Sequence, residues 1–316
     1  MVRYILILLF FVFLVSGCVG DTDDGGISVS GDRETQIDMS DILVINRIDS
    51  IPSTTLKPDR QFTVRLETEN LGKNSVNLIV GDDDGSMVLY DWCSDIFRLR
   101  GSRSFVMTPH KATFRSDNYD VVEIKPGALQ FFEWDMWTPR KEDISAKGVT
   151  CDFKVQLSYD AVASTNAYVY FATLFEISRS IYTRRNMYLL GSNLATDGPL
   201  KINVVFDSDQ PVPLDKNTWS ASINMENIGE GIVNVKNLEL ILPDQIDTVG
   251  DGVDGTRYCD LDKAENLEIN KGSSEVITCV FIPVKEDVLI ATAYKVKAEA
   301  EYTYIIYDSL TINVEP

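Results

Sequence analysis

The sequence predicts an all-β fold of two tandem β-sandwich units. Three observations carry that reading: apolar residues alternate at period two, turn residues recur between the alternating runs, and one motif occurs twice in the same setting. Glu69-Asn70-Leu71-Gly72 is matched by Glu226-Asn227-Ile228-Gly229. Each is followed at the same offset by an apolar–Asn–apolar run, Val76-Asn77-Leu78 and Val233-Asn234-Val235. Upstream, Phe62, Val64 and Leu66 alternate in register with Trp219, Ala221 and Ile223. Period-two alternation marks a strand with one buried face. Asn followed by Gly marks a turn, because Asn bonds its own backbone and Gly tolerates positive φ.

The match continues along the chain. Lys125-Pro126-Gly127 and Asn270-Lys271-Gly272 are turns before further strands. Phe132, Trp134 and Met136 align with Ile277, Cys279 and Phe281, so Cys279 takes the place of Trp134 and both point inward. Pro139-Arg140-Lys141-Glu142-Asp143 corresponds to Pro283-Val284-Lys285-Glu286-Asp287, and the strand around Lys154-Val155-Gln156 to that around Lys295-Val296-Lys297. The two units run over about 41–176 and 198–316. Between them, in 177–197, Ser178 to Leu190 predicts a short helix, with Ser178 as its cap and Gly191 as its end; a further strand is the competing reading.

The N-terminus predicts export. One positive charge at Arg3 precedes an apolar run from Tyr4 to Val15, too short to cross a bilayer comfortably and of signal-peptide length. Val15-Ser16-Gly17-Cys18 resembles the lipobox of prokaryotic lipoproteins, although Val15 stands where a leucine is usual. The resemblance implies removal of residues 1–17 and lipid modification of Cys18; the competing reading is an ordinary signal peptide or an uncleaved anchor. Residues 18–40, with Asp21, Asp23, Asp24 and Asp32 among glycines, read as a lipid-anchored flexible acidic tether. The expected location is the extracellular face of the cell membrane.

Setting Cys18 aside, Cys93, Cys151, Cys259 and Cys279 remain, an even number in an exported chain. Of the three connectivities, Cys93–Cys151 and Cys259–Cys279 keep each bridge within one unit. No pair has Cys-x-x-Cys spacing, which argues against zinc and thiol redox chemistry. A net charge of −19 opposes binding to nucleic acid or to an anionic membrane face. That charge serves solubility; a basic partner is not indicated by composition alone.

The unit of apolar strand, Asn-x-Gly turn and strand, opened in the first copy by Ile51-Pro52, resembles the immunoglobulin-like cell-adhesion-related domain (CARDB) family of bacteria, also found on archaeal surface proteins. The second copy opens Gly198-Pro199-Leu200, which does not share that opening. The resemblance implies two immunoglobulin-like β-sandwiches that bind or space outside the cell, and it carries no site residues.

Candidate chemistry is sparse. Asp82-Asp83-Asp84-Gly85 and the Asp251, Asp254, Gly255 stretch are acidic loops, and Asp82, Asp84, Asp251 and Asp254 are the carboxylates that would hold calcium. Neither loop ends in the glutamate of a twelve-residue calcium loop, and a solvated acidic turn is the competing reading. No other cofactor is expected. The single histidine, His110, would have to serve any Ser–His–Asp arrangement, and no Gly-x-Ser-x-Gly elbow surrounds a serine. Phe131, Phe132, Trp134 and Trp137 crowd one segment whose two faces both look apolar; Trp134 alternates with core positions, Trp137 is a candidate platform for a carbohydrate ring, and core or inter-domain packing is the reading for the others, Phe131 included. The expected function is non-enzymatic display of two sandwich domains, with an envelope protein, a surface layer or a glycan as partner. The rivals are a subunit of an extracellular filament or lattice, and a solute-binding or enzyme component with a site between the domains.

Overall fold

The structure, a computed structural model, describes residues 42–79, 86–100, 105–108, 111–114, 121–183, 194–207, 209–214, 218–249, 259–284 and 293–316. The first repeat contains β1 (Leu43–Ile51), β2 (Thr55–Leu56), β3 (Gln61–Asn70), β4 (Val76–Ile79), β5 (Met87–Tyr90), β6 (Arg98–Leu99), β7 (Phe105–Thr108), β8 (Lys111–Phe114), β9 (Val121–Ile124), β10 (Leu129–Trp137) and β11 (Val149–Ala172). Helix α1 (Leu174–Thr183) follows. The connecting segment then forms β12 (Leu194–Ala195), and the second repeat contains β13 (Leu200–Phe206), β14 (Val212–Pro213), β15 (Trp219–Asn227), β16 (Ile232–Ile241), β17 (Ile246–Thr248), β18 (Leu267–Ile269), β19 (Ser274–Pro283) and β20 (Ala293–Val314). The chain is all-β, with antiparallel sheets stacked as sandwiches.

Each repeat builds one small sheet of the same design. The order is β1-β3-β10-β6 in the first and β13-β15-β19-β17 in the second. Alternation explains the packing. In β3, Phe62, Val64 and Leu66 are buried while the residues between them are not; in β15, Trp219, Ala221, Ile223 and Met225 do the same. Trp134 and Cys279 both lie at 0% exposure in the matching strands. The free edge of the first sheet, β1, is broken by a register shift between Ile45 and Arg47 and carries an Arg47–Asp49 ion pair at 3.0 Å. Bulges and charge both discourage pairing with another chain.

Facing the small sheets is one long sheet, ordered β18-β16-β20-β11-β5-β8-β7 along its main path. Its centre is β11, 24 residues, paired antiparallel with β20, 22 residues. Both strands belong to two cores at once. Phe153, in the first half of β11, packs edge-on against Phe62 at 6.0 Å and Phe97 at 5.1 Å, in the first repeat. Phe171, near the end of the same strand, packs against Trp219 at 6.0 Å and Tyr294 at 5.7 Å, in the second. The far ends are gripped reciprocally: β2 of the first repeat pairs with the end of β20, and β14 of the second pairs with the end of β11, both parallel. Residues from Asp38 to Pro316 accordingly form one unit.

The paired motif is a structural anchor. Asn70 and Asn227 are fully buried. Asn70 Nδ2 donates to the carbonyls of Asn74 and Ile124, both at 2.8 Å, while its Oδ1 accepts from the Gly72 amide at 2.9 Å. Asn227 repeats the pattern with the carbonyls of Gly231 at 2.9 Å and Ile269 at 2.8 Å and the Gly229 amide at 3.0 Å. The backbone carbonyls of Asn70 and Asn227 accept from the amides of Gly127 at 2.7 Å and Gly272 at 2.9 Å. Those two glycines hold φ of +69° and +68°, the conformation that closes each turn and that other residues adopt at a cost. One side chain therefore ties the end of one strand to the starts or ends of two others.

Helix α1 begins earlier than the sequence predicts. Its cap is Thr173, not Ser178: the Glu176 amide donates to Thr173 Oγ1 at 3.2 Å and the Thr173 amide donates to Glu176 Oε2 at 3.0 Å. This reciprocal capping box satisfies two amides that the first turn would otherwise leave unpaired. Positions 184–193, including the expected end at Gly191, lie outside the described residues.

Two disulfides close the cores. Cys93 bonds Cys151, at the start of β11, across a separation of 58 residues; Cys259 bonds Cys279, in β19, across 20. Cys151 and Cys279 are buried.

Replacing either anchor, Asn70→Ala or Asn227→Ala, strands two carbonyls and an amide. Each should cost about 2–4 kcal/mol and, in a unit of this size, lower the melting temperature by roughly 3–8 °C. Because β11 and β20 serve both cores, calorimetry should show one transition that moves as a whole in both variants; two transitions that respond separately would contradict the shared-strand account. Serine replacement of both cysteines of a bridge should cost more at Cys93 and Cys151, by loop entropy about 4 kcal/mol, than at Cys259 and Cys279, about 3 kcal/mol. Urea denaturation of the two double variants measures the order.

Candidate functional site

The structure places the predicted site residues in three groups. Cys18, and with it the lipidation motif, lies outside the described residues, as do His110 and the acidic positions Asp82, Asp84, Asp251 and Asp254. Cys93, Cys151, Cys259 and Cys279 are consumed in the two disulfides. Trp137 stands on the outer face of the first small sheet, 37% exposed. Among the described residues, no group of three or more His, Cys, Asp or Glu side chains is placed to hold a metal ion. Among them also, no helix is long and apolar enough to cross a membrane.

The face that holds Trp137 is built by parity. In β10 the even positions Phe132, Trp134 and Met136 fill the core, so the odd positions point away from it. Leu129 is 50% and Phe131 45% exposed, on the same side as Trp137. Register sets their neighbours on β3: Leu129 faces Glu69, Phe131 faces Glu67, Glu133 faces Arg65, Asp135 faces Thr63 and Trp137 faces Gln61. The polar residues are held in place. Arg65 Nε donates to Glu133 Oε1 at 2.8 Å, and the same guanidinium lies 5.7 Å from the centre of the Phe131 ring. Thr63 Oγ1 donates to Asp135 Oδ1 at 2.8 Å, and Asn46 Nδ2 to Glu69 Oε2 at 2.8 Å. Sequence reasoning assigned Phe131 to packing; its odd position beside Phe132 was the signal that it faces outward.

The outer face of the long sheet is polar along its centre. Asp160 Oδ1 accepts from Thr303 Oγ1 and from the Lys236 ammonium, both at 2.7 Å; Asp152 Oδ1 accepts from Thr311 Oγ1 at 2.6 Å. Lys154 bonds Asp91 at 2.7 Å, and that hydrogen bond and charge hold its ammonium above the ordinary lysine value. Desolvation pushes the Tyr307 phenol up from its ordinary value, with Tyr90 and Glu268 adding to the effect. Both shifts keep the groups in their usual forms near neutrality, lysine charged and tyrosine protonated, so neither is poised for proton transfer there.

Comparison with known proteins yields no matching family model and no matching curated protein. Solved structures give distant similarities. An envelope protein of White Spot Syndrome Virus, VP37, matches at 12% identity over 46% of this chain and 97% of its own, with a TM-score of 0.24. The secreted serine protease VesC of Vibrio cholerae matches at 11% identity over 80% of this chain, TM-score 0.19. The Escherichia coli alpha-2-macroglobulin activated by porcine elastase matches at 7% identity over 83% of this chain, TM-score 0.19. This chain covers 48% of the protease and 32% of the macroglobulin.

Proposed function

We propose that this protein is a non-enzymatic surface lipoprotein that presents a β-sandwich body for binding. Acyl chains on Cys18 hold it at the outer face of the cell membrane, and residues 18–40 act as a tether behind the body. Attachment by several chains is firm, at ~0.8 kcal/mol per buried methylene. The partner is an envelope protein, a surface layer or a glycan. The resemblance to cell-adhesion-related domains belongs to this reading.

The observation that carries it is the shared pair β11 and β20, which joins both repeats into one unit. Two modules on a free linker would turn independently. Two modules that exchange strands hold their outer faces in a set relation, which suits a protein that must present a surface to a partner. The two disulfides support the same reading, because such bridges persist in oxidising compartments outside the cytosol.

Metabolic labelling with a clickable fatty acid tests the anchor. The native protein should carry label, Cys18→Ser should abolish it, and protease added to intact cells should remove the body from wild-type cells. A chain that stays unlabelled and protease-protected in the cytosol, with free thiols at Cys93 and Cys151, overturns the reading.

A further inference from the structure

The first repeat closes its two sheets in a basic edge. β6 ends the small sheet beside β10, and β7 ends the long sheet beside β8. Only residues 100–104 join β6 to β7, so the two edges lie within about 20 Å of each other. From Arg98 to Arg115 the sequence carries Arg98, Arg100, Arg103, Lys111 and Arg115 and not one Asp or Glu, in a chain of net charge −19. Arg98 and Arg100 are exposed, and among the described residues neither makes an ion pair. Arg98 stands directly opposite Trp137 in the ladder, and the Arg100 amide donates to the Asp135 carbonyl at 2.9 Å. The carboxylate of that neighbour accepts from Thr63 Oγ1.

The second repeat supplies a control within the same chain, because β17 holds the equivalent edge. Leu99 pairs with Met136 and Thr248 with Phe281, the matched core positions, so the place of Arg98 is taken by Asp247, opposite Ile282. Onward from Asp247, the stretch to Tyr258 adds Asp251 and Asp254 against one cation, Arg257. The same edge folds there with the opposite charge and without an indole. The arginines and Trp137 of the first repeat therefore answer to something other than folding.

We propose that this edge binds an acidic polysaccharide, with Trp137 against a sugar ring and Arg98 and Arg100 on its carboxylate or sulfate groups. A guanidinium presents a planar fork of donors that fits such oxyanions and stays charged at any physiological pH. An indole offers a broad apolar face for the ring. Neighbouring strands lie about 4.8 Å apart, so Trp137 and Arg98 are close enough for one charged sugar to meet both. Charge selects an anion, because these cations have no carboxylate partner and the sequence around them supplies none. The exposed indole beside them selects a glycan over an acidic peptide. The net charge of −19 repels a polyanion at a distance, but salt screens charges beyond about 8 Å, so at contact the basic edge decides. The inference rests on the reading of the chain as a binding protein and narrows its partner to a glycan; it does not depend on where the protein resides, so the lipid-labelling result and the result below stand separately.

Trp137 provides the readout, since Trp92, Trp134 and Trp219 are 3%, 0% and 3% exposed. Heparin, which carries both carboxylates and sulfates, is the probe. Titrated into the full-length protein in a non-ionic detergent, it should shift the emission of Trp137 and give saturable heat in calorimetry. Arg98→Ser with Arg100→Ser, and separately Trp137→Ala, should each weaken binding about tenfold by calorimetry. Lys147→Ser with Lys295→Ser removes the same charge from exposed positions elsewhere and should change the affinity by less than about twofold. Equal losses in the two double variants would reduce the effect to diffuse charge and overturn the proposal. So would an absence of saturable heparin binding, or heparin binding that Trp137→Ala leaves unchanged. Polyglutamate or oligothymidylate bound as tightly as heparin would also overturn it, by assigning the edge to an acidic protein or to nucleic acid.

Discussion

Every residue of β20, from Ala293 to Val314, faces a partner on β11, and that single ladder decides the shape of everything around it. The register is in phase throughout. Cys151, Phe153, Val155, Leu157 and Tyr159 of β11 are buried on one face, and so are Ala163, Ala167, Val169 and Phe171 further along. Both small sheets must therefore sit on the same side of the long sheet. A slip by one residue would turn each of these side chains into solvent in both cores at once. Register errors are costly here to a degree that a strand serving one core would not show.

The ends of the ladder follow from the same logic. A strand that leaves its own sandwich needs partners in the next one, and β2 and β14 provide them by short parallel pairings at equivalent places. The middle is held by tyrosines. Tyr159 and Tyr304 face each other across the ladder with rings 5.6 Å apart at a steep angle. Each hydroxyl accepts from a backbone amide of its own repeat, Tyr159 from Leu43 at 3.4 Å and Tyr304 from Gly231 at 2.5 Å. The two repeats thus meet as reciprocal halves, with the pairing of β11 and β20 at the centre.

Much of this was legible because it is local. The strands β3 and β15, the turns that end in Gly127 and Gly272 and the matched asparagines are readable from short windows, since period-two burial and turn chemistry act over a few residues. The burial of Trp134 and Cys279 follows from alternation alone. What was not legible is non-local. Nothing in the sequence near Phe171 says that it packs on Trp219 rather than in the first core, because alternation states that a face is buried and not against what. The helix start was misread for a different reason. Ser178 and Thr173 are both capping residues, and Glu176, three places after Thr173, was the discriminating signal. Phe131 was read as packing because aromatic density around it suggested a strand buried on both faces; only the parity of its neighbours separates it from Phe132.

Duplication within one chain also sharpens where function can be sought. The residues that build the fold are matched between the repeats, in kind and in place: Asn70 with Asn227, Gly127 with Gly272, Leu66 with Ile223. A position held by the needs of the sandwich must satisfy the same constraints in both copies. The outward positions of β10 and β19 face no such constraint, and there the copies part: Phe131 against Val276, Glu133 against Thr278, Trp137 against Ile282. Shared strands then bind these unlike faces into one unit, so a chain with two similar frameworks need not have two similar surfaces. The framework explains why both repeats fold; the divergence on its outer faces is what remains to be explained by what the protein meets.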